Sequence, residues 1–236
     1  MTATSRWREA WPDALAFAGG LGLAWYFKWD TGDLVWSLWL SSLVVGYAMI
    51  VWSIFGSGAY IAWRALRDPL TVTGELAKAK LFMGGTVVLV GGLFMLAFFT
   101  VHFGGFHFVH SVFLNAFFPV NPGGGRVTPG LALYWEVFQR YGWFLPAAAI
   151  AERAAFRLTP AEEKPADNAV TPEAIERRKA RASGLGGGMM APYKNVVRLH
   201  LLIFFFAAAH FAKLDSFLVY AVVYAVYFFP WRLVKG

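Results

Sequence analysis

The sequence predicts an all-α protein: a polytopic transmembrane helical bundle of about six spans, with an added amphipathic helix at the outer membrane surface. Three observations support this fold class. Of 236 residues, 58% are hydrophobic and 15% are charged, whereas about a quarter of the residues of a soluble domain are charged. The hydrophobic residues form long runs, as membrane-spanning helices do. The basic residues collect on one predicted side of the membrane.

The candidate spans follow from segment length, because a crossing needs roughly 20 mostly apolar residues. Five segments are candidates, of which the last two are slightly short: 34–55, 81–101, 131–151, 196–212 and 217–231. A sixth segment, 14–27, resembles a secretory signal, but it continues through Trp25, Tyr26 and Phe27 without a small-residue cleavage site. We interpret it as a retained signal anchor and number it as the first span, so that 81–101 is the third, 131–151 the fourth and 196–212 the fifth span. Residues 1–236 are interpreted as a single integral membrane domain.

The charge distribution predicts the orientation. With a cytoplasmic N-terminus and alternating spans, only Lys28, Arg126 and Lys213 fall outside and Arg140 lies within a span, so 17 of the 21 Lys and Arg residues are cytoplasmic. This pattern predicts a multi-pass protein of the inner (plasma) membrane with both termini in the cytoplasm. Orientation explains the net charge of +7, and we therefore expect no nucleic acid as a partner.

Residues 102–118 are apolar enough to be a further span, but a full crossing there would place the later basic cluster outside. Gly104 and Gly105 can interrupt the preceding helix, and Pro119 can end the segment. One helical face carries His107, His110, Ser111 and Asn115, and the opposite face is apolar. We expect a helix that lies in the outer interface or re-enters from it.

Residues 159–192 form the one sizeable hydrophilic region of the sequence. They predict a basic cytoplasmic loop with a short helix between Pro172 and Ser183, followed by a glycine-rich stop. The loop is interpreted as a solvated positive-inside segment, and contact with anionic lipid headgroups is the alternative.

Ionisable side chains at membrane depth are costly and therefore mark candidate sites. Arg140 lies within the fourth predicted span, and Glu136 precedes it by one helical turn. We expect an intramembrane ion pair between Glu136 and Arg140. It can be a structural pair between helices or part of a proton or substrate site.

A metal site is predicted near the outer ends of the third and fifth spans. Imidazole and carboxylate groups bind zinc, copper or iron, and haem is a further alternative. The candidate ligands are His102, His107, His110, His210 and Glu136. The His107–His110 spacing lacks the glutamate of an H-E-x-x-H motif, and histidines at a membrane interface also occur without a metal.

A second polar group is predicted at the cytoplasmic side. Glu152 closes the fourth span, and Arg198 and His200 open the fifth. Charged helix ends explain most of this group, but His200 lies a turn inside the span.

Two runs carry a family resemblance: HFGGFHFVHSVFLNAFF at 102–118 and APYKNVVRLHLL at 191–202. With the glutamate that closes the fourth span, they resemble a family of bacterial multi-pass membrane proteins known only as a domain of unknown function, number six-four-nine-eight. The resemblance covers most of the chain. It singles out His102, His107, His110, Glu152, Arg198 and His200 without implying a reaction.

The sequence leaves the function open, including whether the protein is an enzyme. The chain has no cysteine, which excludes disulfides, thiolate metal sites and cysteine nucleophiles. It matches no phosphate loop, dinucleotide fingerprint or serine nucleophile elbow. Three hypotheses remain: binding of a transition metal or haem at the outer cluster, transport of a proton or small ion along Glu136 and Arg140, and a non-catalytic structural or lipid-binding role. The lipid bilayer is the expected partner in each, with a second copy or another membrane subunit as an alternative.

Overall fold

The computed structural model describes residues 3–67, 74–121, 129–156, 193, 196–197, 200–209, 211–213 and 217–228. Within these ranges the chain is helical apart from short connections, and no strand occurs. The prediction of an all-α fold is therefore confirmed. The predicted loop at 159–192, Arg198 and His210 lie outside the described residues.

Seven α-helices are considered below. They are α1 (Ala3–Tyr26), α2 (Thr31–Arg67), α3 (Glu75–Phe117), α4 (Leu131–Tyr141), α5 (Leu145–Ala151), α6 (His200–Ala209) and α7 (Phe217–Phe228). A 3-10 turn at Gly142–Phe144 separates α4 from α5. Pro146 lies at the start of α5, where its missing N–H does not break an internal hydrogen bond. The predicted fourth span is thus interrupted on the N-terminal side of this proline.

Two described segments are long and apolar enough to cross a membrane, Thr31–Gly56 in α2 and Phe82–Phe117 in α3. They overlap the second and third predicted spans, but the α3 segment extends beyond the predicted end at Val101 to Phe117. The α2 segment is mostly buried inside the protein, and the α3 segment is mostly exposed. The helices α6 and α7 contain shorter apolar segments, His200–Ala209 and Phe217–Val226.

The predicted break at Gly104 and Gly105 is wrong, because α3 continues through both residues for 43 residues in total. Each glycine costs a helix about 1 kcal/mol relative to alanine, which tertiary contacts can offset. Trp39 of α2 supplies one such contact: its Nε1 donates to the carbonyl oxygen of His107 at 2.9 Å. Residues 102–117 are therefore the last part of a long helix rather than a separate interfacial helix. The helix ends before Pro119, as the sequence predicts.

The chain divides into two compact units. The first comprises Met1–Gly46, Gly104–Ala154 and Lys194–Gly236, and the second comprises Tyr47–Phe103 and Ala155–Tyr193. In the second unit α2 packs against α3, and Gly92 faces the Phe55 and Ile54 side chains. The polar side chains that form the candidate site all belong to the first unit.

Aromatic side chains dominate the core of the first unit. Its large buried members are Trp29, Trp36, Trp39, Tyr141, Phe144, Phe206 and Tyr224. A buried indole needs a partner for its N–H, and Trp36 Nε1 donates to the carbonyl oxygen of Phe118 at 2.7 Å. This bond joins the first turns of α2 to the end of α3.

Candidate functional site: a buried histidine series

The polar face of α3 lies inside the protein. His107 is 1%, His110 2% and Ser111 0% exposed, whereas Val109 is 48% and Phe113 52% exposed. The two faces of the segment were predicted correctly, but the apolar face points outward and the polar face inward. This is the reverse of a helix at the surface of a water-soluble protein.

His107 is held by α2 from two sides. Its Nε2 lies 3.0 Å from the hydroxyl oxygen of Ser42, and its own carbonyl oxygen accepts from Trp39. The Trp39 and His107 rings are 6.1 Å apart between centroids. Ser42 is itself buried, so the histidine finds its polar partner within the apolar interior.

His110 pairs with a histidine that is 90 residues away in the sequence. Its Nε2 lies 2.5 Å from Nδ1 of His200 in α6, and the two ring centroids are 4.3 Å apart. A hydrogen bond between two imidazoles requires one nitrogen to carry the proton and the other to accept it. The rings of His107 and His110 are 6.1 Å apart. We call His107, His110 and His200 the histidine series.

The other ring nitrogen of His110 is buried without a hydrogen-bond partner among the residues that the structure describes. If Nε2 of His110 donates to His200, Nδ1 carries a lone pair in the protein interior. Buried polar atoms without a partner are rare in folded proteins. This nitrogen is therefore the atom of the series best placed to accept a ligand.

Two hydroxyl groups meet at the same buried face of α3, one from α3 itself and one from α4. Ser111 Oγ donates to the carbonyl oxygen of Phe108 at 2.7 Å and lies 3.0 Å from the Tyr134 hydroxyl of α4. The Tyr134 ring also packs against Trp39, with 5.0 Å between centroids. Ser42, Trp39 and Tyr134 were not identified from the sequence, where a serine or an aromatic residue within an apolar run is not distinctive.

Arg140 has a partner that the sequence analysis did not consider. Its Nη2 donates to Oδ1 of Asp33 at 3.0 Å, and its Nη1 donates to the carbonyl oxygen of Val120 at 2.9 Å. The Tyr141 hydroxyl donates to the same Asp33 oxygen at 2.7 Å. The signal for Asp33 was its place three residues after Asp30, which is the spacing of a helix capping box.

Glu136 makes a different contact from the one expected: its Oε1 accepts from the side-chain amide of Asn121. Among the described residues, no ion pair joins Glu136 to Arg140. One helical turn is close enough for such a pair, but the Arg140 side chain reaches a carboxylate on α2 instead. Arg140 therefore joins α4 to α2 instead of pairing with a residue of α4.

The predicted metal ligands that the structure describes do not form one metal-binding group. His102 lies in the second unit, where its ring stacks on Phe98 at 5.6 Å and lies 5.8 Å from the Tyr193 ring. No set of three or more His, Asp or Glu side chains in the described ranges has a geometry that could hold a metal ion. Of the predicted ligands that lie in the described residues, His107 and His110 adjoin each other, with 6.1 Å between ring centroids.

Two members of the predicted cytoplasmic-side group, Glu152 and His200, lie within the described residues. His200 contacts His110, which the sequence analysis had assigned to the opposite side of the membrane. Glu152 follows α5 with a half-buried side chain, and its backbone N–H donates to the carbonyl oxygen of Ala148. Next to it, Arg153 forms an ion pair with Asp13 of α1. His200 thus belongs to the candidate site through its contact with His110.

Comparison with known proteins identifies the family. The sequence model of a family of unknown function (DUF6498) matches residues 1–228. No curated protein and no solved structure matches the chain. The chain belongs to this family, as the two sequence runs at 102–118 and 191–202 indicated.

Proposed function

We propose that this member of the DUF6498 family is an integral membrane protein that transfers protons through its interior along the histidine series. The observation that carries the proposal is the inverted arrangement of α3, with hydrogen-bonded imidazoles inside and apolar side chains outside. Two further arguments support it, one for the membrane and one for the proton.

The membrane argument rests on exposed apolar surface. Phe106, Val109, Val112 and Phe113 of α3 are between 39% and 52% exposed, beside buried histidines on the same helix. In water this arrangement would expose apolar area and bury polar groups, and both are unfavourable. In a bilayer the apolar face contacts lipid, and ionisable groups face the bundle interior.

The proton argument rests on the chemistry of imidazole. A neutral imidazole has one donor and one acceptor nitrogen, so it can receive a proton on one side and release one on the other. His110 and His200 already share a hydrogen bond. Histidines buried in membrane bundles are typical members of proton relays. This proposal moves the predicted ion path from Glu136 and Arg140 to the histidine series.

Proton flux into vesicles tests the proposal. The purified protein is placed in liposomes with an internal pH-sensitive dye, and a potassium diffusion potential drives protons inward. We expect His110→Phe and His200→Phe to reduce the flux at least tenfold, because phenylalanine keeps a ring but cannot carry a proton. His102→Phe is the matched control and should retain the wild-type flux. Wild-type flux in His110→Phe, or no flux above empty liposomes for the wild type, would reject the relay and leave metal binding or a non-catalytic role.

Metal binding is a second candidate for the same site, and the unpartnered Nδ1 of His110 favours it. Imidazole nitrogens are ligands for zinc, copper and iron. Because no three His, Asp or Glu side chains of the described ranges could hold an ion together, a metal at this nitrogen would need further ligands beyond these side chains. Elemental analysis of the purified protein, with an absorption spectrum for haem, decides this candidate. One equivalent of metal that is lost in His110→Phe would support it. A protein that is metal-free after growth in metal-supplemented medium would exclude it.

We also propose a topology of about six spans, with both termini in the cytoplasm. The asymmetric distribution of Lys and Arg supports this topology. Because the chain has no cysteine, a single introduced thiol reports its own location. A cysteine at Ser183 should react only from the cytoplasmic side, and one at Gly124 only from outside. Labelling of both from the same side would contradict the topology.

A further inference from the structure

We infer that a water molecule binds at Nδ1 of His110 and connects the histidine series to Ser111 and Tyr134, so that Tyr134 forms the second end of the proton path. This inference rests on the proposed function and extends it, because it names the group that lies opposite His200. It begins from the ring nitrogen of His110 that has no partner among the described residues.

The first step is the hydrogen-bonding demand of that nitrogen. His110 is 2% exposed, so bulk water does not reach it. Buried waters typically make about three hydrogen bonds to polar groups that lack other partners. A water that donates to Nδ1 satisfies the His110 ring while Nε2 donates to His200.

The Ser111 hydroxyl oxygen can accept one further hydrogen bond. A hydroxyl group offers one donor and two acceptor positions. The Ser111 hydroxyl donates to the carbonyl oxygen of Phe108, and it can accept from the Tyr134 hydroxyl. One acceptor position then remains on Oγ. Ser111 and His110 share the buried face of α3, and a water there can donate to both.

The third step is the burial pattern along this set of groups. His107, His110 and Ser111 are fully buried, whereas Tyr134 and His200 are half-buried. The two half-buried groups belong to different helices, α4 and α6. A path between them has a buried centre and two half-buried ends on different helices.

The proposed transfer conserves protons at each atom. An excess proton that reaches the Tyr134 hydroxyl displaces the Tyr134 proton to Oγ of Ser111. The Ser111 O–H turns from the carbonyl oxygen of Phe108 to the water, which turns to accept it, and one proton passes to the water. The water passes a proton to Nδ1 of His110, and the resulting imidazolium releases its Nε2 proton to Nδ1 of His200. His200 releases the proton on its other nitrogen. Both rings must then return to their first tautomer before the next transfer.

Flux through Tyr134→Phe and Ser111→Ala in the same liposomes tests the inference. Phenylalanine keeps the ring contact with Trp39, and alanine is well tolerated within a helix, so both variants should fold. We expect each to reduce the flux at least fivefold, and the double variant to reduce it no further than the stronger single one. Tyr47→Phe is the matched control, because the Tyr47 hydroxyl donates to the carbonyl oxygen of Thr100 in the second unit.

The outcomes separate the inference from the proposed function. Wild-type flux in Tyr134→Phe and Ser111→Ala, with flux lost in His110→Phe, overturns the Tyr134 path and leaves the histidine relay intact. Wild-type flux in His110→Phe overturns both. A direct measurement addresses the water: an O–H infrared band that shifts in ¹⁸O-labelled water should be present in the wild type and lost in His110→Phe. Its absence from the wild type would overturn the water site.

Discussion

At the residue scale, Asp33 makes polar contacts with three other residues, Asp30, Arg140 and Tyr141. Its Oδ1 accepts from Arg140 and Tyr141. Its Oδ2 accepts from the backbone N–H of Asp30, and its own N–H donates to Oδ1 of Asp30, both at 3.0 Å. These two bonds form a capping box at the start of α2. One carboxylate therefore caps one helix and anchors another.

Asp33→Ala should destabilise the protein by about 2–3 kcal/mol, because it leaves Arg140 and Tyr141 without their shared acceptor. This is below the usual cost of breaking a buried pair, about 3–5 kcal/mol, since the Arg140 side chain is 47% exposed. The free energy of unfolding in mixed detergent micelles measures the effect. Glu136→Ala is the control, and it should change stability by less than about 1 kcal/mol. Equal losses in the two variants would show that Asp33 has no special role.

At the element scale, glycines decide how closely helices pack. A Cβ at Gly20 of α1 would overlap the Tyr224 hydroxyl of α7 and approach Phe144, whereas a Cβ at Gly22 would meet nothing within 4 Å. The close approach of α1 and α7 thus depends on one position and not on its neighbour two residues away.

Gly20→Ala should therefore lower stability, whereas Gly22→Ala should not. Gly20→Ala should cost about 1–3 kcal/mol, as overpacking in a core does. Gly22→Ala should be neutral or stabilise by up to about 1 kcal/mol, because alanine is the better helix former. Thermal unfolding in one detergent compares the two variants directly. A loss in both would indicate that helix–helix clearance is not the cause.

The continuity of α3 makes a second prediction at this scale. Gly105 lies within the helix, and a Cβ there would meet nothing within 4 Å. Gly105→Ala should raise stability by up to about 1 kcal/mol. Gly92→Ala, where a Cβ would meet Phe55 and Ile54, should lower it. If the helix were broken at Gly105, alanine would instead be unfavourable in the same unfolding measurement.

At the scale of the whole molecule, the exposed apolar face of α3 predicts contact with lipid. A spin label on a cysteine at Val109, which is 48% exposed, should be more accessible to oxygen than to a polar nickel reagent in liposomes. A label at Lys213 is the comparison: this residue is exposed and has a positive φ of 56°. The predicted topology places Lys213 outside the bilayer, where the nickel reagent should reach it. Equal nickel access at both positions would contradict the membrane location of α3.

Features that depend on neighbours within a few residues could be predicted from the sequence. Long apolar runs predict the helical class. The proline ring explains why α3 ends before Pro119, and the 3.6-residue helical period predicts the two faces of residues 106–116. Each of these features depends on residues within one or two helical turns, so it can be predicted from the local sequence. The helix break predicted at Gly104 and Gly105 does not occur. Each glycine lowers helix stability by about 1 kcal/mol, and contacts such as the Trp39–His107 hydrogen bond can offset this cost.

The partners of the polar side chains could not be predicted in this way. Arg140 pairs with Asp33, 107 residues away, and His110 pairs with His200, 90 residues away. From the sequence, the carboxylate of Glu136 is as suitable a partner for Arg140 as that of Asp33. Hydrogen bonds form only at short range, and the chain contains several residues of the right type. Which of them meet depends on how the helices pack, and that packing is set by large apolar side chains distributed over the whole first unit.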